Sequence, residues 1–453
     1  MTRLGAHAAV VGGSIAGLMA ARVLSEFFEQ VTIFERDQLE DRPVIHKSTP
    51  QGNHVHALLY GGEQIISEFF PGFGAELEQL GAIRWRAGRD AVWYRADGKS
   101  YSLTGSIREP RDLGFGGHVM SRGLLEYLLR KRTLELANVR LEQGAIVEAL
   151  AHRDGSVTGL RVGPDGATRE VPADLVIDAG GRGSRAPRWL GEMGFAPPEV
   201  TTIEVDFAYT STRFRKPADA PQVEPIILFG APPPNVRGGG LFEIENGVWH
   251  VSLAGRFGDY PPTDPDGFME FARSLPSPAL YELIRDAERI ADISQHRFPS
   301  SILRHYERMP RFPARFLLVG DAICSFNPVY GQGMTSAGLQ ARVLQTLLRE
   351  RAERSAALED LASAYFARAA DVIATPWTLA ANFDFAYPQT RGERPPGMEQ
   401  GARYFLALDA LQVQDPEVQR LVVEVFQLMR PLSALWQPPL SNRVLALMQG
   451  NDA

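Results

Sequence analysis

Residues 315–322 read RFLLVGDA, an apolar run that ends in a glycine and an aspartate. This run predicts a buried strand, and residues 334–353, with apolar residues at helical spacing, predict a helix. The turn between them contains Gly320, Asp321, Pro328, Gly331, Gly333 and Met334. A carboxylate at a strand end and glycines at a helix start suit a polar ligand, because unpaired backbone N–H groups can approach it closely. An ordinary strand-to-helix turn would look similar, so this stretch alone leaves both interpretations open.

A second glycine-rich turn near the start of the chain favours the ligand-site interpretation. Residues 8–17 read AAVVGGSIAG, and residues 31–36 read VTIFER. The turn and the end of the next strand supply Gly12, Ser14, Ile15, Ala16, Gly17, Glu35 and Arg36. A strand, a tight glycine turn, a helix and then an acid at the end of the next strand form the pattern of a dinucleotide fingerprint. Ser14 replaces the usual middle glycine, and its small side chain still permits close backbone approach.

Composition excludes several classes of protein. The chain has 453 residues, which predicts two or more domains, and its net charge of −7 gives no reason to expect a nucleic acid partner. Its single cysteine, Cys324, excludes an internal disulfide and any cysteine-based metal site. No metal site is expected. Without an apolar window of 18 residues, we expect a cytoplasmic protein.

Turn dipeptides separate short strand-like runs along the rest of the chain. Strands are predicted around Asp97-Gly98, a β-meander over residues 145–171 with turns at Asp154-Gly155 and Asp165-Gly166, and a hairpin at Asn246-Gly247. Helices are predicted at about residues 54–70, 123–136, 268–274 and 279–293, and beyond residue 375. The expected fold is α/β, with a Rossmann-like domain that carries the meander, an interleaved and mainly antiparallel β-sheet domain, and a C-terminal helical region.

Taken together, these motifs resemble those of the FAD-dependent monooxygenases of the aromatic-hydroxylase and squalene-epoxidase superfamily. The likeness includes both glycine turns, Arg122 in residues 120–125 (MSRGLL), and residues 178–184 (DAGGRGS). Residues 50–56 (PQGNHVH) and 327–334 (NPVYGQGM) are similar to bacterial epoxidases of polyketide polyenes, of the lasalocid and monensin type.

The resemblance implies bound FAD and transfer of one oxygen atom from O2 through a 4a-hydroperoxyflavin. It implies that Glu35 binds the adenosine ribose, Arg122 the pyrophosphate and Asp321 the ribityl chain, with backbone N–H groups near Gly331 and Met334 facing the flavin. Residues 1–75, 105–190 and 295–375 are then a discontinuous FAD-binding domain, 76–104 and 191–294 a substrate domain, and 376–453 the C-terminal helical region.

The sequence departs from the hydroxylase pattern after the strand that ends at Asp178. Residues 179–181 read AGG and position 187 is proline, where the hydroxylases carry Ala-Asp-Gly and a later arginine that help to hold passing NADPH. Electrons are therefore expected from NADPH or NADH, either directly or through a separate flavin reductase.

Candidate catalytic residues are His54, His56 and Tyr330, and Gln51 is a further candidate for cofactor binding. By resemblance, residues 51–56 run beside the isoalloxazine, and the alternative is a helix-capping cluster with surface histidines. A lipophilic alkene needs no base in its pocket, whereas a phenol would, and His250 and His296 could also serve as that base.

The sequence alone leaves an aromatic hydroxylase or a flavin-dependent prenyl-chain reductase as alternatives to an epoxidase. A flavin halogenase is disfavoured, since the Trp-x-Trp-x-Ile-Pro pattern is absent. Membrane contact by the C-terminal helices is not expected, because their polar faces are not rich in lysine.

Overall fold

The structure is a computed structural model that describes residues 2–90, 92–94, 100–102, 112–163, 168–220, 225–229 and 234–450. The predicted turns at Asp97-Gly98 and Asp165-Gly166 lie outside the described residues. The two other predicted turns are present. Asn246 and Gly247 both have φ of 64°, the left-handed geometry that a tight hairpin turn favours in these two residue types.

The strands are β1 (Gly5–Val11), β2 (Phe28–Glu35), β3 (Ile83–Arg86), β4 (Val92–Tyr94), β5 (Ser100–Ser102), β6 (Gly116–Val119), β7 (Val139–Gln143), β8 (Val147–Arg153), β9 (Ser156–Val162), β10 (Arg169–Pro172), β11 (Leu175–Asp178), β12 (Glu199–Arg215), β13 (Ile226–Phe229), β14 (Gly238–Ile244), β15 (Val248–Arg256), β16 (Ser294–His305), β17 (Phe316–Leu318) and β18 (Cys324–Ser325). The helices are α1 (Ile15–Leu24), α2 (Tyr60–Phe69), α3 (Phe73–Gln79), α4 (Arg122–Leu134), α5 (Ala186–Glu192), α6 (Pro265–Arg273), α7 (Ala279–Ile284), α8 (Gly333–Arg354), α9 (Leu361–Asp384), α10 (Met398–Gln412), α11 (Pro416–Phe426) and α12 (Leu440–Gly450).

A parallel sheet with the strand order β17-β11-β1-β2-β7 forms the Rossmann-like part. Its central strands are buried on both faces, as parallel strands covered by helices usually are. In the register of this sheet, Val11 pairs with Phe34 and Asp178, and Asp178 pairs with Leu318. The turns after β1, β2, β11 and β17 therefore meet at one edge, where ligands bind in such sheets.

An eight-stranded sheet in the order β18-β16-β12-β15-β14-β13-β4-β5 forms the second layer, and it is antiparallel except where β13 meets β4. Residues directly opposite each other in an antiparallel pair share a face. The register thus places one set on the face that we call the inner face: Phe207, Tyr209, Ser211, Ser252, Ala254, Arg256, His296 and Phe298. The predicted β-meander forms a separate sheet of β10, β9 and β8.

Two predicted helices differ from the structure. The helix expected over residues 54–70 begins only at Tyr60, because the backbone N–H of Val55 bonds Ser252 Oγ and residues 54–59 are extended. The first N–H groups of α2 are capped from far along the chain, since Tyr60 and Gly61 donate to the side chain and carbonyl of Gln427. The helix expected over residues 279–293 ends at Ile284.

The division of the chain into domains stays a prediction. Strand β16, which the sequence assigned to the FAD-binding part, pairs with β12 in the antiparallel sheet. The C-terminal helices α10, α11 and α12 have a small apolar core of their own, which includes Tyr404, Leu408 and Val425. None of the helices in the described part of the chain combines the length and apolarity needed to cross a membrane.

Candidate functional site

The turn between β1 and α1 has no room for side chains at its glycines. Gly12 has φ of +101°, and a Cβ atom there would lie 2.7 Å from the carbonyl oxygen of Ala179. A Cβ atom on Gly17 would lie 1.9 Å from the carbonyl oxygen of Gly12. Both positions require glycine, and the bare backbone between them faces the carboxyl edge of the parallel sheet.

The acid predicted at the end of β2 lies against this turn. Glu35 is 4% exposed, and its carboxylate accepts hydrogen bonds from the backbone N–H groups of Gly13, at 2.7 Å, and Asp37, at 2.9 Å. These bonds hold the carboxylate at the place where a nucleotide ribose is bound in proteins with this fingerprint.

Arg122 is the first residue of α4 and contacts the start of α1. Its guanidinium donates to Ser14 Oγ at 2.9 Å and to Glu126 Oε2 at 2.9 Å and 3.0 Å. Burial alone would raise the pKa of Glu126, but Arg122 and His46 lower it to about 2, so this carboxylate stays ionised. Ser14 and Arg122 are thus brought together as predicted, whereas the sequence did not identify Glu126 or His46.

Asp321 lies at the carboxyl end of β17 beside the start of α8. Its Oδ1 atom is 3.7 Å from where a Cβ atom on Gly333 would stand. The carboxylate is half-buried and makes neither a hydrogen bond nor an ion pair with any residue that the structure describes. Burial raises its pKa to about 6 even though the guanidinium groups of Arg122, Arg182 and Arg304 oppose this shift.

Arg182 and Arg304 were missed by the sequence analysis. Arg182 donates to the hydroxyls of Ser325 and Ser300, at 3.1 Å each, and Arg304 donates to backbone carbonyls, including that of Arg182. Within the described residues neither guanidinium forms an ion pair. Both lie near Asp321, so this edge of the sheet presents cationic groups whose charge no carboxylate cancels directly.

The helices that begin at this edge are uncapped. Neither Ser14 nor Gln332, the N-cap residues of α1 and α8, accepts a side-chain hydrogen bond from the backbone N–H groups of its own helix, and neither first turn contains an acid. By contrast, Ser121, Asp264 and Asp415 cap α4, α6 and α11. Gln332 and Thr335 are also buried at the start of α8, and a side-chain oxygen of each has no partner in the part of the chain that the structure describes. Buried helix ends normally find partners, so both ends suit an anionic or polar ligand.

We call this region the cofactor cleft: the turn 12–17, Glu35, Arg122, Asp321 and the start of α8. Gly320 lies close to α1, since a Cβ atom there would be 2.8 Å from that of Ala16. These groups fit a dinucleotide. The two uncapped helix ends and the cationic side chains suit its phosphates, and the carboxylates can accept hydrogen bonds from its hydroxyl groups. Among the described residues, no group of three or more histidine, cysteine, aspartate or glutamate side chains could hold a metal ion.

His54 and His56 lie in the extended segment before α2 and not at a helix start, as was expected. Gly331 packs onto this segment, since a Cβ atom there would be 3.2 Å from the carbonyl oxygen of Ala57. His54 Nδ1 lies 2.7 Å from Ser211 Oγ on the inner face, and the ring contacts those of Tyr209 and His296. Burial lowers the pKa of His54 to about 3 and that of His56 to about 4, so both are neutral near pH 7.

Tyr330 takes part in a closed polar network at the other end of the inner face. Asp384 Oδ1 accepts from Tyr330 Oη at 2.7 Å, from Asn327 Nδ2 at 2.9 Å and from Arg256 Nη1 at 3.0 Å. Asp384 is fully buried, and its Oδ2 atom has no hydrogen-bond partner among the described residues. The network joins the sheet, α9 and the loop that precedes α8, and it already occupies the hydroxyl of Tyr330.

Two predicted site residues are not brought into the cleft by any contact of their side chains. Arg36 is exposed and Gln51 is half-buried, and neither side chain forms a hydrogen bond or ion pair within the described ranges. Pro328 begins a short turn whose residue Gly331 has φ of 66°, a conformation that favours glycine. Met334 lies in the first turn of α8 and is 9% exposed.

Comparison with known proteins finds one relative over nearly the whole chain. Protein Rv3254 of Mycobacterium tuberculosis (strain ATCC 25618 / H37Rv) is 32% identical over 449 residues, which covers 97% of this chain and 93% of the relative. Squalene epoxidase 4 of Arabidopsis thaliana is 23% identical over 411 residues, or 88% of this chain and 73% of the epoxidase. No family model matches the chain.

Among solved structures, the flavin-dependent brominase Bmp2 has the same fold. It superposes with a TM-score of 0.70 at 14% identity and covers 99% of both chains. At this level of identity the likeness concerns the fold alone.

Proposed function

Because the chain belongs to the family of protein Rv3254 and to the FAD-dependent monooxygenase superfamily, we propose that it transfers one oxygen atom from O2 to a carbon–carbon double bond. The acceptor is a lipophilic polyene, polyketide or terpenoid. The observation that carries the proposal is that the uncapped starts of α1 and α8 lie at the same edge of the parallel sheet as the carboxylate of Asp321. The inner face of the antiparallel sheet lies beside this edge, and its imidazoles are neutral.

In this proposal, the cofactor cleft holds FAD. The first N–H groups of α1, with Arg122 and Ser14, bind the pyrophosphate, and Glu35 binds the adenosine ribose. Asp321 accepts from hydroxyl groups of the ribityl chain. The N–H groups at the start of α8 stabilise negative charge on the pyrimidine side of the flavin. When bound, reduced FAD reacts with O2 and supplies the electrophilic oxygen atom.

The substrate lies between the inner face and the loops that carry His56 and Tyr330. Epoxidation needs no protein base, because an alkene gives up no proton. The described residues of this face support such chemistry, since the imidazoles are neutral and Arg256 is paired with Asp384. The task of these residues is to orient the alkene and to keep water from the oxygen donor.

A phenol-type hydroxylase is a second candidate because of His296. This imidazole is half-buried on the inner face, and neither ring nitrogen has a hydrogen-bond partner among the described residues. Burial and the nearby Arg182 lower its pKa, so it is a neutral base that could accept the proton of a phenol.

The experiment that tests the proposed function is rapid mixing of photoreduced enzyme with oxygenated buffer, with and without a polyene, while the flavin spectrum is followed. We expect a transient absorbance that differs from both reduced and oxidised flavin. With ¹⁸O2, we expect a product that gains one labelled oxygen and loses one double bond. Direct reoxidation under all conditions without labelled product would contradict a monooxygenase and favour the reductase alternative.

The same experiment separates the two oxygenase candidates when a phenol replaces the polyene. Labelled phenolic product that is lost in H296F would favour the hydroxylase, whereas labelled epoxide that is retained in H296F favours the epoxidase. Reduction by NADPH or NADH alone, compared with reduction in the presence of a flavin reductase, identifies the electron donor. We propose that the reductase route is the faster, because residues 179–181 and 187 lack the acid and arginine of the hydroxylases.

A further inference from the structure

A chain of hydrogen bonds holds the imidazole of His54. The backbone N–H of Val55 donates to Ser252 Oγ at 2.9 Å, Ser252 Oγ lies 2.5 Å from Ser211 Oγ, and Ser211 Oγ lies 2.7 Å from His54 Nδ1. Ser211 and Ser252 are directly opposite each other on β12 and β15. The three side chains therefore form one relay on the inner face of the sheet.

The protons of this relay can be placed by counting donors and acceptors. Ser252 already accepts from a backbone N–H, so its own hydroxyl proton must be donated. Within the described residues, the acceptor in reach is Ser211 Oγ. Ser211 then donates its own proton to His54 Nδ1, which must be the unprotonated nitrogen of the ring. In the reverse direction, the hydroxyl proton of Ser252 would have no acceptor among the described residues.

This count fixes the proton of neutral His54 on Nε2. Burial, and then the neighbouring imidazoles, lowers the pKa of His54 to about 3, so the ring stays neutral at physiological pH. The side chain is 3% exposed, and Nε2 makes no hydrogen bond with any described residue. An N–H group on a nearly buried ring that finds no acceptor among the described residues is available to donate to a bound ligand.

Small side chains lie close to His54 on the inner face. Across the sheet from Tyr209 lie Ala254 and then Gly238, which have almost no side chain. Ser252, Ala254 and His296 are only half-buried, whereas the other named residues of this face are buried. The edge of the His54 ring packs against Tyr209, with ring centres 4.3 Å apart, so the ring has one fixed orientation.

We propose that His54 donates its Nε2 hydrogen to an uncharged oxygen of the substrate, so that the enzyme selects an oxygenated unsaturated molecule, such as a ketone, an ether or an ester, over a plain hydrocarbon. Ser211 and Ser252 are positioning residues that fix the tautomer of His54. This inference rests on the proposed function, since it concerns the molecule that the inner face presents to the flavin. A neutral N–H group is a suitable donor to an uncharged oxygen of the substrate. A substrate carboxylate would instead favour a cationic donor.

The test is a binding comparison with two matched probes and purified FAD-containing enzyme. The probes are geranylacetone, an unsaturated ketone, and the hydrocarbon in which a CH2 group replaces its carbonyl. Binding is followed by the change in the visible flavin spectrum. The wild type should bind the ketone about tenfold more tightly than the hydrocarbon, the effect expected of one well-formed hydrogen bond in a buried site.

Variants then test the residue and the relay. H54F should bring the ratio of the two affinities close to one, and H54Q, which keeps an N–H donor, should restore part of it. S252A should lower the ratio and S252T should keep it, because the hydroxyl is retained. H152F, which replaces an exposed imidazole on β8, is the matched control and should leave the ratio unchanged.

A wild-type ratio near one, or a ratio that H54F leaves unchanged, would overturn the inference. Retained FAD in H54F shows that the variant is folded, and if H54F does not retain FAD, H54L, which also lacks the donor, replaces it in the comparison. Failure of the proposed function is distinguishable, because binding is measured without turnover. A ratio near ten with no oxygenated product would contradict the proposed reaction and leave the role of His54 standing.

Discussion

The cofactor cleft and the inner face of the antiparallel sheet differ in whether their charged side chains form ion pairs. In the cleft, the carboxylate of Asp321 and the guanidinium groups of Arg182 and Arg304 form no ion pair with one another or with other described residues, and two helix ends are uncapped. On the inner face, Arg256 is paired with buried Asp384, and the imidazole of His54 is neutral.

This difference indicates what each side binds. Charged groups that the protein leaves without partners favour a ligand with its own charges and hydroxyl groups, as a dinucleotide has. Charges that are cancelled internally, next to neutral polar groups, favour an uncharged ligand. Changing one charge on either side should therefore have different consequences, which the following variants measure in order of expected size.

R256M should have the largest effect, because it removes the cation that pairs with buried Asp384 on the inner face. The variant leaves Asp384 buried without its cation, and the free energy of unfolding should fall by about 3–5 kcal/mol. Urea denaturation measures this change. The double variant R256M/D384L should recover much of the loss, and R188A, at an exposed ion pair with Glu192, should change little. A loss below about 1 kcal/mol in R256M would show that the pair contributes little to stability.

D321A tests the cofactor cleft, the region whose charged groups lack ion-pair partners among the described residues. Removal of a carboxylate that accepts from ligand hydroxyls should weaken FAD binding by about 30- to 100-fold, or about 2–3 kcal/mol. Equilibrium dialysis of the apoprotein with FAD measures the affinity. D259A, which removes a carboxylate that pairs with Arg237 in the loop after β15, should retain FAD. Full occupancy in D321A would contradict the assignment of Asp321 to the cofactor.

Acid should destabilise the protein through its neutral imidazoles. Burial lowers the pKa of three histidines to about 3 or 4: His54, His56 and His250. Between pH 6.5 and pH 5 the unfolded chain binds protons on these rings and the folded chain does not, so the free energy of unfolding falls as the pH is lowered. Each ring contributes about 2 kcal/mol at pH 5. Groups whose pKa is raised in the folded protein have the opposite sign: Asp178, Asp321, Asp384, His46 and His118. Comparison of one variant with the wild type therefore isolates the contribution of a single ring.

Urea midpoints at pH 6.5 and pH 5 measure this effect. H250Q, in which an amide that does not titrate replaces one ring, should lose about 1.6 kcal/mol less than the wild type over the same interval. Identical pH dependence in the two proteins would mean that His250 is not held neutral. H152F, which replaces an exposed ring, should follow the wild type.

R36A should have the smallest effect and so marks the border of the cofactor cleft. Arg36 is exposed and its side chain contacts none of the cleft residues through a hydrogen bond or ion pair, so the affinity for FAD should change by less than about threefold. R122A, measured beside it, should weaken FAD binding clearly, since Arg122 is buried against Ser14. A large loss in R36A would extend the cleft to the exposed side of β2.

The cleft could be read from the sequence to a greater extent than the inner face, for a physical reason. The turn 12–17 is consecutive in the chain, and its steric demand for glycine is visible in a few residues. The place of Asp321 follows similarly from a strand, an acid and a helix in order. The expected fold class is confirmed because periodicity and turn dipeptides report local structure well.

The inner face depends on contacts between distant residues, which carry no local pattern. The helix expected from residue 54 was wrong because Val55 bonds Ser252, 197 positions along the chain. Asp384 lies in an ordinary helical sequence, and Arg182 in a glycine turn. Only the sheet register shows that such residues meet, and one sequence does not reveal the register of an eight-stranded sheet.

The cap of α2 has a consequence for the order of events during synthesis. Tyr60 donates to the side chain of Gln427, 367 positions later, and Gly61 donates to its carbonyl. The segment that carries His54 and His56 leads directly into this helix, so its final position depends on residues that leave the ribosome late. Domains usually fold from the N-terminus as they emerge. Here the first glycine turn can form early, but the segment that carries His54 and His56 reaches its final position only near the end of translation.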